Sequence, residues 1–238
     1  IDGMKKNKKN KIVGIIQARM GSKRLPKKMS LELGGYPIIE WVINRVKKCK
    51  LIDKFILATS LLEENDYLIN MSRKHMIKSY RGSEENVLSR FVDISKMENP
   101  DFIVRICADN PFIDHNEINR LIKFYLSKNC DYACNHQHKI NSGYADGFGA
   151  EIFSYDLLKK INNNVKTNSS KEHVTLHLWK NQKKFNIMEV PAPPELNYPN
   201  LRFDLDNSDD LLKLENLVNM GINIHSSAKK IVKVFNSN

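Results

Sequence analysis

Five cationic side chains fall within ten residues near the start of the chain, and their company is as telling as their charge. The stretch Ile15-Ile16-Gln17-Ala18-Arg19-Met20-Gly21-Ser22-Lys23-Arg24-Leu25-Pro26-Lys27-Lys28 carries Arg19, Lys23, Arg24, Lys27 and Lys28 together with Gly21 and Ser22. Small residues let backbone N–H groups approach an anion, and the cations neutralise it. Polyphosphate is the natural guest. The loop follows an apolar run, Ile12-Val13-Gly14-Ile15-Ile16, which is where α/β proteins place their ligands. No G-K-[ST] closes it, so it is not a Walker phosphate loop.

Carboxylates supply the second half of the chemistry. Asp101 to Cys107 is the most strand-like run in the chain, and it opens into Ala108-Asp109-Asn110-Pro111-Phe112-Ile113-Asp114. A carboxylate just past a central strand, fixed by a following proline, is placed to hold a hard cation, and Mg²⁺ favours one or two carboxylates plus phosphate oxygens and water. Asp114 reads instead as the cap of a helix from His115 to Lys128. Further on stands Arg202-Phe203-Asp204-Leu205-Asp206. If this piece is extended, Asp204 and Asp206 share a face, and two carboxylates on one face call for a cation or an arginine. The alternative is that these acids cap the helix that starts at Ser208.

Three other blocks are candidates. Arg81-Gly82-Ser83-Glu84-Glu85-Asn86 precedes a helix in which Ser83 is the expected cap, with Asn86 at its third position and Glu84 and Glu85 in its first turn; Arg81 and Arg90 bracket that turn. Tyr144 to Ser154 is a Gly-rich turn feeding an extended segment that contains Asp146 and Glu151. Lys171-Glu172-His173-Val174-Thr175 enters a helix, and His173 suits an anion or an acceptor as well as a cap. Cys130-x-x-x-Cys134-x-His136-x-His138 has zinc-type ligands, but its spacing matches no standard knuckle pair, and Asp131 to Cys134 reads as a core strand.

These blocks resemble one family. Q-A-R-M-G-S-x-R-L-P-x-K at 17–28, R-G-S-E-x-x-V-L-x-R at 81–90, the Asp109 block, D-G-x-x-x-E-x-F-S at 146–154, E-H-V-T at 172–175 and the Asp206 block are similar to motifs of the cytidylyltransferases that activate acidic sugars, the spore-coat-polysaccharide branch above all. The resemblance implies a three-layer α/β Rossmann-like nucleotidyltransferase fold of the GT-A type with a mostly parallel sheet. It implies transfer of CMP from CTP to an anionic sugar or sugar acid, with release of pyrophosphate, in the synthesis of surface glycans. Gln17, Ala18, Arg19, Gly21, Ser22, Lys23, Arg24, Lys28, Arg81, Gly82 and Ser83 would bind nucleotide, with Arg19, Lys28 and Asp109 in catalysis. Asp109 and Asp206 would hold Mg²⁺, and Asp146, Glu151, Glu172 and His173 would face the acceptor. A homodimer is expected on the same ground. The chain departs from the family at Ala108, usually Gly, and at Gly149-Ala150, usually Asp-Val, which keeps a phosphate or phosphonate acceptor open. A non-catalytic nucleotide-binding module is the other reading.

The elements that must position these residues are legible around them. Pro37 to Val46 has apolar residues at helical spacing with Pro37 in its first turn, Phe55 to Ser60 is a continuous buried strand, Glu63 to His75 a helix and Ile77 to Arg81 a short strand. Ser154 reads as the cap of a short helix from Tyr155 to Ile161, followed by a polar loop over 162–170. Phe185 to Val190 reads as a strand, a proline-rich connector follows, Ser208 to Met220 is a helix, and residues 228–235 form an amphipathic end. Strand and helix alternate from 12 to 135, the pattern of a mostly parallel sheet. Residues 12–238 are expected to form one domain, with about 140–190 as a substrate lobe or dimer arm.

Composition excludes several classes. At 238 residues with 41% hydrophobic content, the chain can bury a substantial core. There is no run of 18 apolar residues for a membrane span and no apolar leader. Ile1-Asp2-Gly3 ahead of Met4 reads as a vector-derived remnant. The net charge is +11; five Lys and one Asp in residues 1–11 account for +4 and leave +7. That remainder is dispersed, without the aromatic-interleaved stripe of a nucleic-acid surface, and suits an enzyme with an anionic substrate. The four cysteines form no disulfide framework, consistent with a reducing cytoplasm.

Overall fold

The computed structural model describes residues 9–136 and 142–237. In chain order the strands and α-helices are β1 (Ile12–Gln17), β2 (Glu32–Leu33), β3 (Tyr36–Pro37), α1 (Ile38–Val46), β4 (Lys54–Ser60), α2 (Asp66–Lys74), β5 (Lys78–Gly82), α3 (Val87–Glu98), β6 (Phe102–Cys107), α4 (His115–Ser127), β7 (Tyr132–Cys134), β8 (Glu151–Ser154), α5 (Tyr155–Asn164), α6 (Asn168–Glu172), α7 (Leu176–Lys180), β9 (Ile187–Glu189), α8 (Ser208–Asn219) and α9 (Ala228–Asn236). The main sheet has the order β5-β4-β1-β6-β8-β7-β9, and β2 and β3 form a separate hairpin. Every pairing in the main sheet is parallel except those of β8, which runs antiparallel to both β6 and β7. The fold is a mostly parallel α/β sheet with helices on both faces.

The period of two along β1 explains the layers. Ile12 and Ile16 join one apolar cluster, while Val13 and Ile15 join the other. The first cluster packs α1, α2, α4, α8 and α9 onto the sheet; the second receives α3, α5 and α7. Gly14 lies where an added Cβ would meet the Phe55 ring at 2.7 Å. Helix starts follow local chemistry: Asp114 accepts from Asn116 N–H, Ser154 from Leu157 N–H, and Asn207 with Asp210 makes a capping box on α8.

Three expectations are corrected here. Helix α3 is capped by Asn86, whose side chain accepts from Ser89 N–H. Ser83 sits one turn earlier and accepts from Asn86 N–H, because two short polar side chains compete for one start and the nearer wins. The polar stretch expected as a loop over 162–170 is largely helical, with 162–164 ending α5 and Thr167 capping α6. Residues 203–206 form no strand; only Arg202 makes an isolated bridge, to Asp146.

One buried cation ties distant parts together. The Arg45 guanidinium on α1, 4% exposed, donates to the carbonyls of Phe112, Ile113, Ile224 and Ser226. Asp114 accepts from Ala228 N–H at 2.7 Å. The loop after β6 and the start of α9 are therefore fixed by the same two side chains. Helix α9 buries Ala228, Ile231 and Val232 and packs beside α8.

Candidate active site

The C-terminal ends of β1 and β6 open into a cleft of about 890 Å³, lined by the loop after β1, the Asp109 loop, Asp206 and residues of α3 and α6. This is where a parallel α/β sheet presents ligands. The loop is braced from beneath. Met20 is buried, and its N–H donates to Asn65 Oδ1 at 2.8 Å, while Asn65 donates to Ser60 Oγ. Lys27 takes a left-handed φ of 54°, which turns the chain so that Lys28 points inward.

Lys28 is the centre of the arrangement. Its side chain is only 8% exposed. The ammonium lies 2.9 Å from Asp109 Oδ1 and donates to the Leu205 carbonyl at 3.0 Å. Leu205 N–H in turn donates to the Asp109 carbonyl at 2.8 Å. Segments almost a hundred residues apart are thus clamped, and Asp206 arrives beside Asp109 because its neighbour is held. Asp206 pairs with Arg24 at 2.5 Å, and Arg19 with Glu84 at 3.3 Å. Both carboxylates face the cleft as hard oxygen donors, held now by cations of the phosphate-type loop, so the donor set fits Mg²⁺.

Gln17, Ala18, Arg19, Gly21, Ser22, Lys23, Arg24, Lys28, Asp109, Glu172, His173 and Asp206 all line this one cleft. Other candidates lie elsewhere. Arg81 turns away: its guanidinium binds the carbonyls of Ser60, Leu61 and Leu62 and the Asp66 carboxylate. Gly82 is needed for close approach, since a Cβ there would sit 3.0 Å from Arg90 Cγ. Arg90 reaches the cleft wall but is 1% exposed, and it donates to the carbonyls of Ser83 and Glu84, locking the turn rather than offering charge. Asp204 is held by Arg202 through two contacts, at 2.6 and 3.0 Å, and does not line the cleft with Asp206. Asp146 sits behind the wall, 3.9 Å from His136.

Glu151 is buried under the cleft floor. It is ion-paired with Arg105 and accepts from the hydroxyls of Tyr132 and Thr175. Burial opposes its charge, but Arg105 and its other donors hold its pKa at about 2. Arg105 also donates through Nε to Gln17 Oε1 at 3.0 Å. Because an arginine has no acceptor, this contact fixes which way the Gln17 amide faces. Arg105 was missed by motif reading. Its signal was a lone charge inside the apolar strand Phe102-Ile103-Val104-Arg105-Ile106-Cys107.

Gly149 explains the departure at 149–150. A Cβ there would lie 2.0 Å from the Asn135 carbonyl oxygen. Asn135 is fully buried, accepts from Ala150 N–H and donates to the Glu117 carbonyl. No aspartate fits at position 149 on this backbone. The four cysteines are free thiols. Cys134 is core in β7 as expected, and His138 lies outside the described residues. A second depression, about 830 Å³ beside α4 and α9, contains the pairs of Glu117 with Arg120 and Lys229 with Glu195.

A fold of this topology, with a cationic loop and two aspartates meeting at the strand ends, defines a nucleotidyltransferase. Residues 13–231 match the family model described as cytidylyltransferase, and the chain belongs to that family. It is 30% identical over 235 residues to the spore coat polysaccharide biosynthesis protein SpsF of Bacillus subtilis, covering 96% of this chain and 95% of that protein. Among solved structures, a cytidylyltransferase from Leptospira borgpetersenii superposes with a TM-score of 0.88 at 26% identity, covering 96% and 95% of the two chains. A CMP:2-keto-3-deoxy-manno-octonic acid synthetase complexed with CTP superposes with a TM-score of 0.64 at 17% identity, covering 89% and 100%, and shares the fold. Among the described residues no helix is long and apolar enough to cross a membrane.

Proposed function

We infer that this enzyme transfers CMP from CTP to an anionic sugar or sugar acid and releases pyrophosphate, as a Mg²⁺-dependent step in building a surface glycan. The observation that carries this reading is the Lys28 clamp: a buried ammonium joining the Asp109 and Asp206 segments at the mouth of a cationic loop. An acceptor oxygen attacks the α-phosphorus in line with the departing pyrophosphate, so catalysis is positioning and charge neutralisation. Arg19, Lys23 and Arg24 hold the triphosphate, and Lys28 stands beside the α-phosphate. Asp109 and Asp206 would hold Mg²⁺, which supplies charge neutralisation at phosphate oxygens. Glu172 and His173, which line the same cleft, face the acceptor. Gln17, fixed by Arg105, offers its amide N–H to the nucleotide. No protein nucleophile is required. A cytoplasmic homodimer is part of the same reading.

The test is pyrophosphate release with Mg²⁺, each of CTP, UTP, ATP and GTP, and a panel of sugar acids, phosphosugars and phosphonates. Release with CTP and a sugar carboxylate is expected. Preference for another nucleotide would overturn the cytidine assignment. Because Gly149 leaves no room for the aspartate usual in the branch, a phosphate or phosphonate acceptor is the second reading, and turnover with those compounds alone would select it.

A further inference from the structure

Beneath the cleft, three elements deliver a thiol, an imidazole and a carboxylate, a mixed set in which the first two are donors that magnesium avoids. Cys107 ends β6, His136 follows β7, and Glu151 begins β8. One ligand atom from each lies within 4.8 Å of the other two. A thiol, an imidazole and a carboxylate are the donors that zinc prefers, whereas hard Mg²⁺ seeks oxygen alone. We propose that Cys107, His136 and Glu151 form a site for a thiophilic divalent cation of the zinc class, separate from the Asp109–Asp206 pair.

The surroundings are built as an outer shell for such a site. Tyr132 and Thr175 hydroxyls donate to one Glu151 oxygen and Arg105 to the other. Asn110 is 1% exposed, its Nδ2 is 3.3 Å from His136 Nδ1, and its Oδ1 is buried without a partner. Turning that amide over gives an Nδ1–H an acceptor and leaves Nε2 as the metal ligand. Asp146 Oδ1 is also buried without a hydrogen-bond partner, 3.9 Å from the same ring nitrogen.

Charge points the same way. Metal binding takes the thiolate form of Cys107 and the neutral imidazole of His136. Cys107, Glu151 and Asp146 then carry three negative charges, which Arg105 and a dication neutralise. Cys107 also lines the cleft, so an ion there borders the nucleotide site.

The site does not depend on the nucleotide assigned to the cleft, so its test is independent of pyrophosphate release. The intact chain, stripped with a chelator and titrated with Co²⁺, is expected to bind one ion with a near-ultraviolet sulfur-to-cobalt charge-transfer band that Zn²⁺ abolishes. Cys107→Ser should remove the band and weaken Zn²⁺ binding at least about tenfold. His136→Gln, on an irregular turn, should weaken it similarly and serves as the second arm if the strand substitution unfolds. Cys130→Ser should change nothing. The proposal fails if no band forms at saturating Co²⁺, if the band survives Cys107→Ser, or if Asp109→Ala is what abolishes binding.

Discussion

The two sides of the cleft handle charge in opposite ways. On the loop side, Arg24–Asp206 and Arg19–Glu84 join side chains that are 73% and 51% exposed on the arginine partner. Such pairs contribute little to stability and exchange partners readily when an anion or cation arrives. Beneath the floor, Arg105 pairs with the buried Glu151 and holds Gln17, while Tyr132 and Thr175 donate to Glu151. There, a lost partner leaves a buried charge alone. Groups that meet a changing ligand have replaceable partners, while groups that orient other groups do not.

That contrast can be broken at four points. Asp109→Ala is expected to lower Mg²⁺-dependent turnover by about a thousandfold while thermal unfolding stays near that of the parent, since one electrostatic stabiliser accounts for about 10²–10³; turnover within tenfold would remove Asp109 from the reaction. Glu151→Ala should act mainly on stability, by about 3–5 kcal/mol, because it strands Arg105. Denaturant unfolding reads this directly, and a loss below about 1 kcal/mol would mean that Arg105 is not stranded. Arg24→Ala should raise KM for nucleotide about tenfold, one charge-assisted contact at about 1.5–3 kcal/mol, with little effect on folding. Arg81→Ala should cost about 1 kcal/mol of stability and leave KM within twofold. A large KM effect there would return Arg81 to the nucleotide.

The cleft side of this comparison was readable in the sequence, and the floor was not. The loop 17–28, Asp109, Asp206, Glu172 and His173 each stand in motifs of local spacing, and local spacing survives folding. Asp114 and Ser154 were legible as caps because a cap needs only its next three residues. Arg81 and Arg90 looked alike in sequence, yet one binds a neighbouring loop and the other its own turn, a choice made by the carbonyls of residues 60–62 and 83–84. Cys107 ends β6, Glu151 begins β8 and His136 follows β7, and the order of these strands in the sheet is not their order in the chain, so no spacing could gather the three. Asp204 misled because residues 203–206 are not extended in a sheet, and the period of two does not apply.

The staple of Arg45 and Asp114 has a temporal consequence. The cationic loop and the first four strands of the sheet leave a ribosome early, but Asp206 comes in the last sixth of the chain and the carbonyl and amide partners at 224, 226 and 228 come later still. Until those have emerged, Arg45 has only half its acceptors and the loop bearing Asp109 is held from one side alone. In the order of synthesis, the chain therefore completes its sheet, with β9 at Ile187–Glu189, before it holds all the partners that fix the Asp109 loop.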